Sequence, residues 1–169
     1  MFKELAKRRY SVRKFKKEQI PEEELMKVLD EAMLAPTSQN DQPQRLMIIE
    51  SEEAKKKLKK SMTQDYGADK YLVLAYDNQK TRKRSYQSID GGTISATNFA
   101  NYLMLSAADK GMGTIWIGAF NMEQFVEDFQ INENLTVIGL IAIGYPAKDS
   151  RASKDHGIRK SPEEIITRY

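Results

Sequence analysis

The chain of 169 residues has no cysteine and a single histidine, and these two scarcities limit its chemistry. Without cysteine there can be no disulfides, thiolate nucleophiles, cysteine-ligated zinc sites or iron-sulfur clusters. The one histidine, His156, cannot build a poly-histidine metal site, and we interpret it as a bystander in a polar loop. We expect no metal, so any redox chemistry must use a bound organic cofactor.

The sequence also lacks a long apolar stretch. Its longest charge-free run, from Gly91 to Ala108, is interspersed with glycine, threonine, serine and asparagine, and the N-terminus has no apolar signal-peptide core. We therefore expect a cytoplasmic protein without a membrane segment. A chain of 169 residues fits one domain, which we predict to span residues 1–169.

An excess of one charge is missing as well. The 27 basic and 24 acidic residues give a net charge of +3, which is too balanced to indicate a nucleic acid partner. The strongest basic run is Lys55 to Lys60, which lies on a predicted helix and is typical of a solvated face. An interaction module that works through this run and the basic C-terminal tail is an alternative interpretation.

The order of apolar and polar residues predicts alternating helices and strands. Pro21, followed by three glutamates, opens a helix that Pro36 stops. Further helices are predicted over Glu52–Met62, Ile89–Lys110 and Met122–Phe129, with a short one from Pro162. Strands are predicted over Leu46–Ile49, Tyr71–Tyr76 and Val137–Ile143, a strand or turn over Gly113–Gly118, and a loop or helix start over Asp77–Arg84.

One basic segment, from Arg8 to Phe15, suggests an anion site. If the segment is extended, Arg9, Ser11 and Arg13 share one face. At about 3.3 Å per residue the two arginines would stand about 13 Å apart, which suits a mononucleotide better than free phosphate. By itself this pattern is more typical of a solvated surface.

Four segments in this order resemble the nitroreductase family of FMN-dependent oxidoreductases, over nearly the whole chain. They are Arg9–Phe15, Ala35–Pro43, Gly111–Phe120 and Ile141–Pro146 with the later Arg159–Ile165. The resemblance implies an α+β fold with a mixed, mostly antiparallel central sheet flanked by helices. It also implies an intertwined homodimer with FMN sites at the subunit interface.

For the cofactor phosphate, the resemblance and the chemistry of arginine point the same way. The planar guanidinium fork suits a dianion, so Arg9 and Arg159 are the expected phosphate pair, with Ser11 adding a hydroxyl donor. Arg13 either contacts phosphate too or lies near the pyrimidine edge of the flavin, where it would raise the reduction potential. The other expected cofactor-binding residues are Tyr10, Pro36, Thr37, Ser38, Asn40, Gln64, Trp116, Ile117, Gly118, Ala119 and Lys160.

Within this set the resemblance assigns different parts of the flavin to different segments. The loop from Pro36 to Asn40 is expected to lie against the ring across the dimer interface. Gly118 would let the backbone approach the ring, with N–H groups of Ile117 to Ala119 near its N5 and O4 edge. Trp116 fits the site or the core equally well, and Gln64 matches the family pattern poorly.

Three departures from the family pattern stand out. Gln44 replaces a common tryptophan, Ala119 replaces a frequent glycine, and Gly157 stands where some relatives carry a basic residue. Phosphate binding would then be weaker unless Lys154 or Lys160 compensates. The chain has no segment for the helices that cap the site of longer members, which predicts an open site.

The resemblance implies an enzyme that uses NADH or NADPH to reduce FMN and then a nitroaromatic, quinone or similar conjugated acceptor. Such turnover should follow ping-pong kinetics, and the cofactor rather than any side chain carries the chemistry. A flavin-binding or flavin-modifying protein of the same fold, without nicotinamide-dependent turnover, is the first alternative. The cofactor-free basic interaction module is the second.

Overall fold

The computed structural model describes residues 1–81 and 90–169, and in these it contains five α-helices and four strands. The helices are α1 (Phe2–Arg8), α2 (Glu22–Ala32), α3 (Glu52–Leu58), α4 (Gly91–Asp109) and α5 (Met122–Phe129). The strands are β1 (Gln44–Ile49), β2 (Lys70–Asp77), β3 (Gly113–Ile117) and β4 (Leu135–Gly144). The predicted helix start at Ile89 and residues 82–84 of the predicted loop lie outside the described residues.

The strands form one sheet in the order β1-β2-β4-β3, and every neighbouring pair is antiparallel. The two central strands are buried for most of their length. A single parallel bridge joins Ser11 to Thr114 at the β3 edge. The predicted α+β class with a mostly antiparallel sheet is therefore confirmed.

Side chains alternate between the two faces of the sheet, and each face carries its own core. Leu72 and Leu74 of β2 belong to the core that contains residues of α2 and α4. Their neighbours Tyr71 and Val73 point the other way, into the core that contains Leu58 of α3 and Phe125 of α5. The sheet thus lies between the α2–α4 pair and the α3–α5 pair.

Helix α4 is the longest element and is covered on several sides, as its nearly continuous apolar pattern predicts. Asp90 caps its N-terminus by accepting a hydrogen bond from the Gly92 amide at 2.7 Å. Although most of its side chains pack inward, Ile94 is 51% exposed and Tyr102 is 42% exposed. No helix in the described ranges has both the length and the hydropathy that crossing a bilayer requires.

Two predicted helices are wrong in extent. The helix predicted to reach Met62 ends at Leu58 and tightens into a 3₁₀ turn, because Met62 is extended and pairs with Phe120. The helix predicted from Pro162 is a single 3₁₀ turn that ends at Glu164. It buries no residue within the protomer, so no packing favours a longer helix.

Candidate functional site

The basic segment after α1 is extended, the condition under which its side chains alternate, and it lies along the β3 edge. Arg9 ends α1 with an extended backbone, and the amide of Val12 donates to the Thr114 carbonyl at 3.0 Å. Val12 is 1% exposed, which fixes the alternation of the residues on either side of it. Arg9 and Ser11 consequently face away from the core, toward α4 and Trp116.

A cleft of about 470 Å³ lies in front of this segment, and we call it the arginine cleft. It joins residues that are far apart in the sequence: α1 forms one side, the C-terminal half of α4 another, and β3 the floor. Its lining residues are Phe2, Ala6, Arg9, Ser11, Asn101, Met104, Leu105 and Trp116. The structure therefore brings three of the predicted site residues together, namely Arg9, Ser11 and Trp116.

Trp116 contributes to both the core and the cleft. Its indole lies over Gly139 of the neighbouring strand, where a Cβ atom would come within 2.5 Å of the ring. Glycine at that position is what allows the half-buried indole to lie flat against the sheet while its outer part lines the cleft. The two interpretations of Trp116 left open by the sequence are compatible.

Arg9 and Arg159 form a pair of like charges. Burial, followed by the positive charge of Arg159, lowers the pKa of the Arg9 guanidinium. Among residues 1–81 and 90–169, neither arginine forms a salt bridge with a carboxylate. A partly buried cation beside an exposed one, neither paired with a carboxylate of the described residues, is suited to an anionic ligand, and a dianionic phosphate fits this donor set.

Arg159 lies in a neighbouring recess of about 660 Å³, which opens beside the arginine cleft. The two cavities share Phe2 and Ala6 of α1. Gly157 also lines the recess, and the adjacent Lys160 is exposed. Residues from opposite ends of the chain thus supply the cations on the two sides of α1.

The end of β3 is open to solvent, and a short loop packs beside it. Gly118 is exposed, and a Cβ built on it would meet no atom of the described residues within 4 Å, so the space on that side of its backbone is open. The amide of Thr63 donates to the Ala119 carbonyl at 3.4 Å, which places the exposed Gln64 next to this strand end. Ile117, by contrast, is buried in the core, so only its backbone is available at the site.

The predicted loop from Pro36 to Asn40 lies elsewhere in the same protomer. The Ser38 amide donates to Ser95 Oγ at 3.4 Å, and Asn98 Nδ2 donates to the Pro36 carbonyl at 3.2 Å. These contacts hold the loop at the N-terminal half of α4. Since α4 rises 1.5 Å per residue, Ser95 and Met104 are about 13 Å apart along its axis. Within one protomer the loop and the arginine cleft are not brought together.

The remaining predicted residues of the basic segment are used locally. Tyr10 donates from its hydroxyl to Ser150 Oγ at 3.1 Å, and its ring stands edge-on to His156 at 6.3 Å between centroids. Arg13 is exposed and donates to the Ser11 carbonyl at 3.2 Å. Neither side chain lines the arginine cleft within the protomer.

Of the three departures from the family pattern, Gln44 has the clearest structural consequence. Its side chain is buried between β1 and α2, where Nε2 donates to the sulfur of Met33 at 3.5 Å. Its Oε1 has no hydrogen-bond partner among the described residues. The departure from the family pattern at Gln44 therefore lies in the interior of the protein. Ala119 is exposed at the end of β3.

Sequence reasoning missed two groups of residues near the arginines. Asn101, Met104 and Leu105 line the cleft from α4, and their three- and four-residue spacing is the signal that could have placed them on one helix face. His156 lines the recess beside Arg159 and is in contact with α1. No sequence pattern indicates that second contact, because its partner is a backbone carbonyl 149 residues away.

Comparison with known proteins gives consistent relatives. A protein of Archaeoglobus fulgidus, provisionally named an NADH dehydrogenase/NAD(P)H nitroreductase, is 29% identical over 93% of this chain and 91% of its own length. A nitroreductase family protein of Clostridium difficile 630 superposes with a TM-score of 0.87 at 33% identity, covering 97% of this chain and 95% of its own.

A further structure, of a nitroreductase from Exiguobacterium sibiricum in complex with FMN, has the same fold. It superposes with a TM-score of 0.83 at 24% identity and covers 100% of this chain and 97% of its own. The sequence model of the nitroreductase family matches residues 6–66 and 63–145, which is most of the chain. With the fold and the family match in agreement, the chain belongs to the nitroreductase family.

Proposed function

We propose that the protein is an FMN-dependent NAD(P)H oxidoreductase of the nitroreductase type. The observation that carries the proposal is the pair Arg9 and Arg159, two cations without a carboxylate beside a cleft with an aromatic floor. The names of the relatives and the FMN complex of the same fold support this ligand. Residues 1–169 are proposed to form a single FMN-binding domain.

The phosphate of FMN would be held by Arg9, Arg159 and the hydroxyl of Ser11, with Lys160 nearby. Arginine forks donate two bonds to a dianion, and the partial burial of Arg9 strengthens that interaction. The flavin ring would extend toward Trp116 and the uncovered backbone of Gly118 and Ala119. Gln64 would face the ring edge from the neighbouring loop.

When bound, FMN supplies the chemistry by taking a hydride at N5 from NADH or NADPH and passing electrons to a nitroaromatic, quinone or similar conjugated acceptor. The chain's own residues bind and orient it, and no side chain of the protein is assigned a catalytic role. The exposed end of β3 leaves room for two substrates to use one pocket in turn. Steady-state kinetics should be ping-pong, and a ternary complex would contradict the scheme.

A homodimer would complete the site. Helix α4 exposes Ile94 and Tyr102, and the neighbouring Leu34 is 76% exposed, which is an apolar surface suited to a second copy. The C-terminal Ile165 and Ile166 are also exposed. In such a dimer the loop of residues 36–40 of one protomer would reach the flavin ring bound in the arginine cleft of the other protomer.

Light scattering tests this assembly. The proposal predicts a dimer, whereas a monomer that still binds FMN with full affinity would contradict the shared site. A cytoplasmic location remains a prediction.

Anaerobic mixing of the purified, FMN-loaded protein with NADH or NADPH tests the function itself. The expected result is loss of the flavin absorbance near its visible maximum, followed by its return when a quinone is added. A yellow protein that neither nucleotide bleaches would instead indicate flavin binding without this turnover. A colourless protein that takes up no FMN would contradict the cofactor and favour an interaction module, whose partner binding should weaken steeply with salt.

A further inference from the structure

The C-terminal segment after Ser150 is attached to its own protomer at one point. Residues 151–169 are exposed except His156, which is half-buried. Within the described ranges, the other side-chain hydrogen bonds of this segment stay inside it or reach back no further than Lys148. Among the residues that the structure describes, His156 alone in this segment bonds to a distant element, α1.

That contact is with the last turn of α1. His156 Nε2 lies 2.8 Å from the Lys7 carbonyl oxygen, and since a carbonyl only accepts, the ring must donate from Nε2. A carbonyl in the last turn of a helix has no partner within the helix, so the histidine satisfies it. The Tyr10 ring, edge-on at 6.3 Å, supports the imidazole from the side.

The contact joins the two places from which the phosphate cations come. Lys7 precedes Arg9 by two residues, and His156 precedes Arg159 by three. The two arginines repel each other, so the exposed segment that carries Arg159 needs an attachment to remain beside Arg9. Lys3 and Lys7 line the same recess, and Lys7 is paired with Glu4 at 3.5 Å.

We propose that His156 is a positioning residue for the cofactor phosphate: its hydrogen bond to the Lys7 carbonyl holds Arg159 opposite Arg9, so that both guanidiniums reach one phosphate. The inference rests on the proposed function and assigns His156 no contact with the ligand. It acts through Arg159. What matters is a hydrogen-bond donor at the position of Nε2, and glutamine can supply one.

The test compares FMN with riboflavin, which has the same ring and no phosphate. Equilibrium binding to the FMN-free protein is followed by quenching of flavin fluorescence. His156→Ala should weaken FMN binding about tenfold, the cost of losing one hydrogen bond near a charged site, and leave riboflavin binding unchanged. His156→Gln should recover most of the FMN affinity.

A second variant guards against a general loss of structure. His156→Phe keeps an aromatic ring against Tyr10 and loses only the donor, so it should weaken FMN binding as His156→Ala does. Asp149→Asn is the matched control, because it removes a 2.6 Å ion pair with Lys14 just before the segment and should leave FMN binding unchanged.

The outcomes separate this inference from the function it rests on. A wild-type protein that binds FMN no more tightly than riboflavin would contradict the phosphate site altogether. Selective FMN binding that survives both His156→Ala and His156→Phe would overturn only the positioning role. Equal weakening of FMN and riboflavin would also overturn it, since that result marks a purely structural contact.

Discussion

Two cation-rich clefts of this molecule differ in whether their charges are paired. The second, which we call the lysine cleft, has a volume of about 370 Å³ and is lined by Lys16, Lys17, Lys55 and Lys59. Three of these lysines have a carboxylate within 4 Å: Lys16 has Glu18 at 3.3 Å, Lys55 has Glu52 at 3.1 Å and Lys59 has Asp65 at 2.7 Å. In the arginine cleft and its recess, the nearby charge that acts on Arg9 is instead the like charge of Arg159, which lowers the pKa of Arg9 after the larger effect of burial.

This difference in charge pairing indicates which basic residues are available for a ligand. The sequence run Lys55–Lys60 is the more conspicuous signal, yet two of its five lysines, Lys55 and Lys59, pair with carboxylates. A third, Lys57, lies over the Phe129 ring. Paired charges stabilise the protein modestly, whereas an uncompensated pair costs stability and favours an anion. The observed pairing therefore favours the arginines as the binding groups.

Removal of Arg9 should have the largest effect on FMN binding. Arg9→Ala should weaken FMN binding about 100-fold, because it removes a partly buried, bidentate phosphate donor. Fluorescence titration measures the loss. The matched change in the lysine region, Lys56→Ala, removes an exposed cation and should leave FMN binding unaltered. Equal effects of the two substitutions would contradict the distinction between the regions.

Removal of Arg159 should weaken FMN binding without lowering the stability of the FMN-free protein. Arg159→Ala is expected to weaken FMN binding about 30-fold, since Arg159 is more exposed than Arg9. Its removal also relieves the repulsion on Arg9, so the FMN-free variant should melt at the same temperature as the wild type or higher. A clear drop in the melting temperature of the FMN-free form would show that Arg159 is stabilising, against this account.

Substitutions in the lysine cleft should lower stability and leave FMN binding unchanged. Tyr71 is 1% exposed, and its hydroxyl donates to Asp65, which also accepts from Lys59. Tyr71→Phe removes that donor and should lower the free energy of unfolding by about 1–2 kcal/mol. Denaturant titration gives this value, and FMN affinity should stay within about twofold of wild type. Loss of FMN selectivity over riboflavin would argue against separate roles.

Acid should weaken the same cluster. Burial alone would raise the pKa of Asp65, but hydrogen bonds from Lys59, Tyr71 and the Gly67 amide hold that pKa below its usual value. The stabilisation is therefore present above the pKa of an unfolded aspartate, about 3.9, and is lost as pH falls further. Asp65→Asn should reduce the steepness of that loss in unfolding experiments below pH about 4.

Arg13 and Arg9, both in the basic segment after α1, should affect different properties of bound FMN. If it tunes the ring, Arg13→Ala should shift the reduction potential of bound FMN to a more negative value with little loss of affinity. Arg9→Ala should do the reverse, losing affinity with a smaller change in potential. Potentials measured against reference dyes decide between them, and equal effects on both quantities would refute the division.

Local patterns predicted the elements of the fold well. Helix α5 has the predicted bounds, Met122–Phe129, because its apolar spacing coincides with an Asn121 cap that accepts from the Gln124 amide at 3.0 Å. The strands were found within a few residues of their true limits. The errors at Met62 and Pro162 arose where tertiary contacts, or their absence within one protomer, decide where a helix ends.

The site was less accessible to sequence reasoning, since it depends on contacts between distant segments. Alternation along the basic segment correctly placed Arg9 and Ser11 on one side, but it could not show that Arg13 turns back to the Ser11 carbonyl. The role inferred for His156 depends on a carbonyl in α1, and histidine in a polar loop carries no sign of such a partner. The loop Pro36–Asn40 belongs to the site only if a second protomer supplies it.

Comparison of the affinities of the wild-type protein for FMN and riboflavin tests most directly whether the arginine pair binds a phosphate. If the arginine pair binds a phosphate, FMN should bind at least about 100-fold more tightly than riboflavin, and added salt should weaken the binding of FMN far more than that of riboflavin. Equal affinities for the two flavins, with equal dependence on salt, would contradict the account.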